Sequence, residues 1–338
     1  MEQHPAGLIG PAKKDPAARP PVVLITGASS GIGAAAARRF ARAGYRVFAS
    51  MRRPEAGAGL REEAAAGAWA LTTPPLDVTS ESSVKMAVAD LLAETGGRLD
   101  VLVNNAGYYC LGAIEETAPD ELAAQLDTNV LGVLRVTRAA LPAMRAAGRG
   151  VVVNISSISG LVVVPLAGPY HASKWALEAL TEALRYEVSP FGVHVVAVEP
   201  GPIATTFHRN EIRVRAGGRA DSPYAPLAAA YERASAGLRR GSAEDVAEVI
   251  LRAATARRPR LRWRVGPTSF SGGVLRRLVP DRLYEWGVGF MFHRGDRPSV
   301  RPAELGPAAP PHLGSPVPPV PPVSGSESLA GRGGSGPV

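Results

Sequence analysis

Cysteine is all but missing from this chain: Cys110 is the single one in 338 residues. No intramolecular disulfide can form, which fits a reducing compartment and points to the cytoplasm. Long apolar runs are missing as well. No stretch of 18 apolar residues occurs, so no spanning helix is expected. The first twenty residues are polar and rich in Pro and Ala, without the apolar core of a secretory signal, and they read as a flexible leader, 1–20. Lysine is scarce. Among 38 basic residues only Lys13, Lys14, Lys85 and Lys174 are lysine; the rest are arginine. The surplus of Arg, Ala, Gly and Pro is a bias of overall composition. The net charge of +8 therefore reads as arginine scattered over a solvated surface rather than as a nucleic-acid footprint. Neither a nucleic-acid partner nor a metal is expected.

What is present is apolar and periodic. Hydrophobic residues make up 46% of the chain, enough for a sizeable core. "PVVLITG" is a short β-branched run closed by Gly, and reads as a buried strand. "IGAAAARRFARAG" follows as an amphipathic helix ended by Gly44. The alternation continues: strand "YRVFAS", helix 54–68, and strand "WALTTPPLDV", expected to start late because of Pro74 and Pro75. Then come helix 80–96 with a Ser N-cap and a Gly end, strand "LDVLVNNAG", one long helix over 119–148, strand "GVVVNISS", a long helix over 169–192, and strand "VHVVAVEPG". "RLRWRVG" is a candidate seventh strand after the helix "SAEDVAEVILRAATARRP". Apolar strands that alternate with helices belong to a parallel sheet with both faces covered. The expected fold is α/β: one doubly wound domain over 21–268 with about seven strands. Residues 269–296 read as a C-terminal helical extension broken at Pro280. The Pro-, Gly- and Ser-rich tail, 297–338, holds too few large apolar groups to order itself.

The first strand runs straight into "TGASSGIG", residues 26–33. Gly27, Gly31 and Gly33 let the backbone turn tightly and approach a pyrophosphate, while the next helix offers free N–H groups and the positive end of its dipole. The strand–turn–helix setting is what such a site requires. This glycine spacing, with the motifs after it, resembles the short-chain dehydrogenase/reductase family in its single-domain subgroup, over about residues 21–265. Asp77 and Val78 stand in "DVT" after the third strand, where the resemblance implies contact with the adenine ring. Asn105, Ala106 and Gly107 belong to "NNAG" after the fourth strand; Ser29, Ser30 and Ile32 lie inside the glycine loop. Pro200, Gly201 and Thr205 fit the family's loop around the nicotinamide. The resemblance implies a Rossmann-like fold, a nicotinamide cofactor and, by analogy, a dimer or tetramer.

Residues 170–174 read "YHASK". Reducing a ketone requires hydride at carbon and a proton at oxygen. A free tyrosine, with a pKa near ~10, is a poor proton carrier at neutral pH. Lys174 lies on the same helix face as Tyr170, and a nearby cation is expected to favour the phenolate. The resemblance implies that this ammonium also holds the nicotinamide ribose; a compact charge with rotatable donors suits two partners, and the flat guanidinium fork does not. That accounts for a lysine in an arginine-rich chain. Ser157, thirteen residues before Tyr170, would hydrogen-bond the substrate oxygen. Asn129 would hold a relay water, by resemblance alone. The second strand ends without the Asp that usually marks NAD preference; Arg52 and Arg53 follow, and arginine suits a 2′-phosphate, so NADP(H) is expected over NAD(H).

The substrate is less sharply marked. "VFASMRR" and the extension past the Pro200–Gly201 loop are similar to the hydroxysteroid and retinol dehydrogenase branch. The apolar stretch 160–168, Tyr108, Tyr109 and the 203–240 segment suggest a greasy pocket for a lipophilic carbonyl or alcohol, steroid-, retinoid- or acyl-like. A 3-oxoacyl carrier-protein reductase is the alternative enzyme; a non-catalytic NADP sensor is the alternative class. Residues 274–292 mix arginines with Leu, Trp, Phe and Met, and read either as a cover over the pocket or as a membrane-surface segment. The lysine argument is testable: Lys174→Arg keeps the charge and changes its shape, and both turnover and nucleotide affinity should fall by an order of magnitude or more. Steady-state kinetics and nucleotide titration measure the two losses.

Overall fold

The computed structural model describes residues 19–204, 211–216 and 221–293. Most of the expected leader, the 297–338 tail and Thr205 lie outside the described residues. Seven parallel strands form the central sheet: β1 (Val22–Ile25), β2 (Arg46–Ala49), β3 (Leu71–Thr72), β4 (Val101–Asn104), β6 (Gly150–Ile155), β7 (Val193–Pro200) and β9 (Arg262–Val265), in the order β3-β2-β1-β4-β6-β7-β9. Two further strands, β5 (Tyr109–Leu111) and β8 (Glu211–Arg213), pair in parallel as a separate ribbon. The helices are α1 (Gly31–Arg42), α2 (Ala58–Ala66), α3 (Glu81–Thr95), α4 (Pro119–Leu126), α5 (Gly132–Ala146), α6 (Gly168–Val188), α7 (Ala225–Ala236), α8 (Ala243–Thr255), α9 (Pro267–Leu278) and α10 (Asp281–His293).

Strand side chains alternate between two cores. Val23, Ile25, Val101, Val103, Val151, Val153, Val196 and Val198 join Phe40 of α1 and Val246 and Ile250 of α8. Their neighbours Val22, Leu24, Leu102, Val152, Val193 and Val195 turn the other way, toward Leu91 of α3, Met144 of α5 and Val188 of α6. Burial on both faces explains why these strands read as unbroken apolar runs. The strand order reverses between β1 and β4, so the loops after those two strands splay apart and open a crevice at their carboxyl ends.

Two elements differ from the sequence expectation. The third strand stops before the prolines instead of starting late: β3 is Leu71–Thr72. Proline cannot donate to a ladder, yet the Pro74 carbonyl accepts from the Met51 N–H at 3.2 Å, so the chain still tracks the sheet edge. The expected single helix over 119–148 is interrupted by a π turn, Asp127–Leu131, between α4 and α5. Such turns cluster at functional sites, and this one carries Asn129.

A polar ladder crosses the sheet beneath the site. Asn104 and Asn154 are register neighbours on β4 and β6. The Asn104 amide donates to Asn154 Oδ1 at 2.9 Å and to Thr137 Oγ1 of α5 at 3.1 Å, and the Asn154 amide donates to Thr181 Oγ1 of α6 at 2.9 Å. Both long helices are thus fastened to the strand ends that carry the site. Asn154→Leu should leave the Asn104 amide short of a partner and lower stability by about 2 kcal/mol in urea unfolding.

Candidate active site

Because the sheet is parallel, every strand delivers its last residue to the same edge, and the motif residues gather there. After β1, Gly27 sits at φ +66°, and a Cβ on it would lie 2.7 Å from Ala106 Cα. A Cβ on Gly33 would lie 2.6 Å from Asn105 Nδ2. The glycine loop therefore presses against the segment that follows β4. Asn105 fastens the two: its amide donates to the Thr26 and Gly27 carbonyls, each at 3.0 Å. The Thr26 hydroxyl accepts from the Asn105 and Ala106 N–H groups at 3.0 and 3.1 Å. Thr26 was not marked as a site residue from the sequence; its place between strand and glycine loop was the available signal.

The opening of α1 suits an anion. Ser30 is its N-cap in extended backbone, its hydroxyl caps nothing, and the first turn holds no acidic residue. Ser29 is exposed, while Ser30, Gly31 and Ile32 are half-buried. Backbone N–H groups with no side-chain partner at a helix N-terminus match a pyrophosphate. The structure thus fits the nucleotide that the motifs imply. Around this cradle, Val78 is buried, and Asp77 Oδ1 accepts from the Thr79 N–H at 2.9 Å and its hydroxyl at 2.8 Å. Gly107 lies against Asn129, where a Cβ would come within 3.0 Å of Oδ1. Pro200 ends β7, and the Gly201 N–H donates to the Val265 carbonyl at 2.9 Å. Arg52 and Arg53 are exposed just past β2, and neither has an ion pair among the described residues.

Tyr170, Ser157 and Lys174 lie together at this edge. Tyr170, 6% exposed, lies near the Ser157 hydroxyl, which favours its phenolate. Ser157 follows the end of β6 in extended backbone, and its Oγ also accepts from the Ser159 N–H at 3.1 Å. Lys174 is buried one turn along α6, with Nζ 5.6 Å from the Tyr170 ring centre and donating to the Ile155 carbonyl at 2.8 Å. Ile155 is its one hydrogen-bond acceptor among the described residues, which leaves donors for a second partner.

One electrostatic expectation is overturned. Lys174 does not bring the Tyr170 phenol below its ordinary range. Burial pushes Tyr170 up to about 12, partly opposed by the Ser157 hydroxyl and reinforced by Tyr231. Burial likewise pulls Lys174 down to about 8, against the pull of Glu178. Loss of water is the largest cause at both groups.

The Asn129 side chain is fully engaged. Its Oδ1 accepts from the Tyr108 N–H, and its amide donates to the Tyr108 carbonyl and to Ser173 Oγ, all at 3.1 Å. It ties the turn after β4 to α6, beside Lys174.

Over Tyr170 lies an aromatic cover built from Tyr109, the 203–240 segment and the C-terminal helical extension. The Tyr109 ring meets Tyr170 with centres 4.6 Å apart. The Tyr109 and Tyr231 hydroxyls are 2.6 Å apart, and Tyr231 of α7 stacks on Phe292 of α10 at 6.2 Å. The Tyr284 hydroxyl of α10 donates to the Val163 carbonyl at 3.1 Å. The neighbouring cavity, about 40 Å³, is lined by Leu111, Leu166, Tyr224, Ala228 and Tyr231 among others. His171 stands beside Tyr170 and was also missed. Nδ1 donates to the Ser159 carbonyl at 2.9 Å and Nε2 accepts from the Val164 N–H at 3.2 Å, which fixes the neutral tautomer and clamps the loop after Ser157.

The comparisons with known proteins agree with this geometry. Residues 21–215 match the family model described as short chain dehydrogenase. A 3-ketodihydrosphingosine reductase of Bacteroides thetaiotaomicron is 41% identical over 57% of this chain and 67% of its own length. An NADPH-dependent 3-dehydrocapnine reductase of Ornithobacterium rhinotracheale is 33% identical over 78% of this chain and 94% of its own. The crystal structure of a short-chain dehydrogenase from Streptomyces avermitilis superposes with a TM-score of 0.70 at 36% identity, covering 79% of this chain and 96% of that one. With a glycine loop at the head of α1, a Ser–Tyr–Lys group at the strand ends and a family match over most of the sheet, this chain belongs to the short-chain dehydrogenase family of nicotinamide-dependent oxidoreductases.

Proposed function

We propose that the chain is an NADP(H)-dependent oxidoreductase that interconverts a carbonyl and an alcohol on a lipophilic substrate. The observation that carries this reading is Tyr170, buried beneath an aromatic and aliphatic cover, with the half-buried Ser157 hydroxyl near it and Lys174 one turn away. The nicotinamide would supply or accept the hydride, held by the Gly27–Gly33 loop, Asp77, Val78, Asn105, Ala106, Gly107, Pro200 and Gly201. Thr205 is proposed for the same loop by resemblance.

On the protein side, Ser157 donates a hydrogen bond to the substrate oxygen and stabilises its growing negative charge. Tyr170 passes its proton to that oxygen. Burial favours the protonated phenol, so Tyr170 holds the proton that a reduction requires. Lys174 offers its remaining donors to the ribose and places a positive charge beside the phenolate left behind. Asn129 holds the Tyr108 turn and α6 in register, as its three hydrogen bonds indicate.

The lipophilic reading is supported by the apolar cover and by similarity to a 3-ketodihydrosphingosine reductase. The NADP(H) reading is supported by exposed Arg52 and Arg53 after a β2 without an acidic end, and by a relative named as NADPH-dependent. The buried, unpaired Cys110 suits the cytoplasm. Leu131 of the π turn, with Leu134, Trp175, Leu180 and Tyr186 exposed on α5 and α6, supports a homo-oligomer, which sedimentation equilibrium tests.

A membrane surface is a second partner, favoured by α9 and α10. Leu278 is 76%, Trp286 64% and Met291 59% exposed, beside exposed Arg282. No helix among the described residues is long and apolar enough to cross a membrane. Contact at the surface should make the full chain sediment with anionic liposomes at low salt; a protein that stays in the supernatant removes this partner.

Two measurements test the activity. Tyr170→Phe removes only the proton-delivering hydroxyl, and kcat should fall by roughly 10³ or more while NADPH still binds. Near-normal turnover would eliminate Tyr170 as the acid. Arg52→Ala should raise the Kd for NADPH by roughly tenfold and leave NADH nearly unaffected; equal losses for both nucleotides would remove the 2′-phosphate role.

A further inference from the structure

Beyond Lys174, α6 runs into a buried ionic cluster that the proposed chemistry does not use. Arg262 of β9 bridges Glu178 at 2.9 Å, Glu182 at 2.8 Å and Glu199 at 3.3 Å, and Arg264 meets Glu199 at 3.2 Å. The Glu199 side chain is fully buried and the Glu178 side chain is 6% exposed. Ser156 Oγ, Glu178 Oε1 and Glu199 Oε1 are buried without a hydrogen bond among the described residues. Gly160, in the loop after Ser157, presses onto this cluster: a Cβ there would lie 2.9 Å from Glu178 Cγ and 3.2 Å from Ser156 Oγ.

Lys174 lies one helical turn before Glu178 on the same face of α6, and both side chains are buried. Buried charges persist only when paired.

We propose that Glu178 is a positioning residue for this site: its carboxylate, bridged to Arg262 and one helical turn beyond Lys174, favours the charged form of Lys174. The charge on Lys174 is then set by a contest on β7 and β9 as well as by its own surroundings. Burial lowers Lys174 and Glu178 raises it, in keeping with this role. Burial, and after it the Glu178 charge, push Glu199 up to about 7. The groups that set the balance are Tyr170, Glu178 and Glu182 on α6, Glu199 on β7, and Arg262 and Arg264 on β9. The catalytic meaning of that charge rests on the function proposed above.

The scarcity of lysine makes the charge directly readable. With lysines carrying 13C at Cε, the full chain gives signals from four residues, and Lys174 is the one lost in Lys174→Arg. Its titration midpoint should lie near 8 in the parent protein. In Glu178→Gln the midpoint should fall by roughly one pH unit, since an attractive charge is gone. In Arg262→Gln it should rise, because Glu178 is released from its competitor. Glu182→Gln, on the more exposed partner, should leave it unchanged. Opposite movements in the first two variants are not produced by general loosening of the fold. A midpoint that stays put in a folded Glu178→Gln or Arg262→Gln protein, or that moves the same way in both, overturns the proposal; either variant alone suffices if the other does not fold. The titration needs neither substrate nor nucleotide, so it stands or falls separately from the Tyr170→Phe result.

Discussion

Lys174 holds an ammonium group where water does not reach, and much of this molecule can be traced to accommodating it. Moving such a group out of water costs several kcal/mol unless polar partners replace the lost hydration. The Ile155 carbonyl at the end of β6 replaces part of it, and Glu178 supplies an opposing charge. A strand end, a helix and a neighbouring carboxylate must all be in place before the lysine can be buried, and they are delivered by one parallel sheet with helices on both sides. Tyr170 follows from the same arrangement, because the helix that carries Lys174 carries the phenol one turn earlier.

Arginine does different work here. Arg38 with Glu63 and Arg46 with Glu94 form exposed pairs at 2.5 and 2.6 Å, the kind that contribute little to stability. Arg98 reaches Asp100, whose side chain is 1% exposed and whose Oδ2 also accepts from the Val22 N–H at the start of β1. A composition rich in arginine thus spans idle surface pairs and contacts that fix strands. Only the surroundings of each side chain separate the two, which is why the net charge carried no functional message.

The functional edge was legible in the sequence wherever local chemistry dictated it. A left-handed glycine after β1, an N-cap serine and a Tyr and Lys one turn apart are short-range features, and each lies where its neighbours in the chain indicate. What escaped was decided by distant residues. The two-residue β3 is set by its pairing with β2 across the edge. Tyr231 and Phe292 sit more than a hundred residues beyond Tyr109, and nothing in the polar stretch around Tyr231 shows that its hydroxyl meets that of Tyr109. The height of the Tyr170 pKa depends on how completely the cover excludes water, a property of packing that a helix face cannot display. Glu199 looked like one more residue of an apolar strand end, because its arginine partners lie on a strand more than sixty residues further along.

The π turn at Asp127–Leu131 has a consequence for how this chain can vary. One residue of a helix advances the chain by about 100°. The inward residues of α5, namely Gly132, Val136, Ala140 and Met144, are aimed at the sheet only because the widened turn precedes them. Removing a single residue there would rotate the whole helix by that angle and carry its apolar stripe toward solvent, with Asn129 drawn away from Tyr108. Exchanges of one side chain for another can be absorbed locally, but a change of length cannot. The turn acts as a fixed count of residues between two packed helices, inherited or lost as a unit.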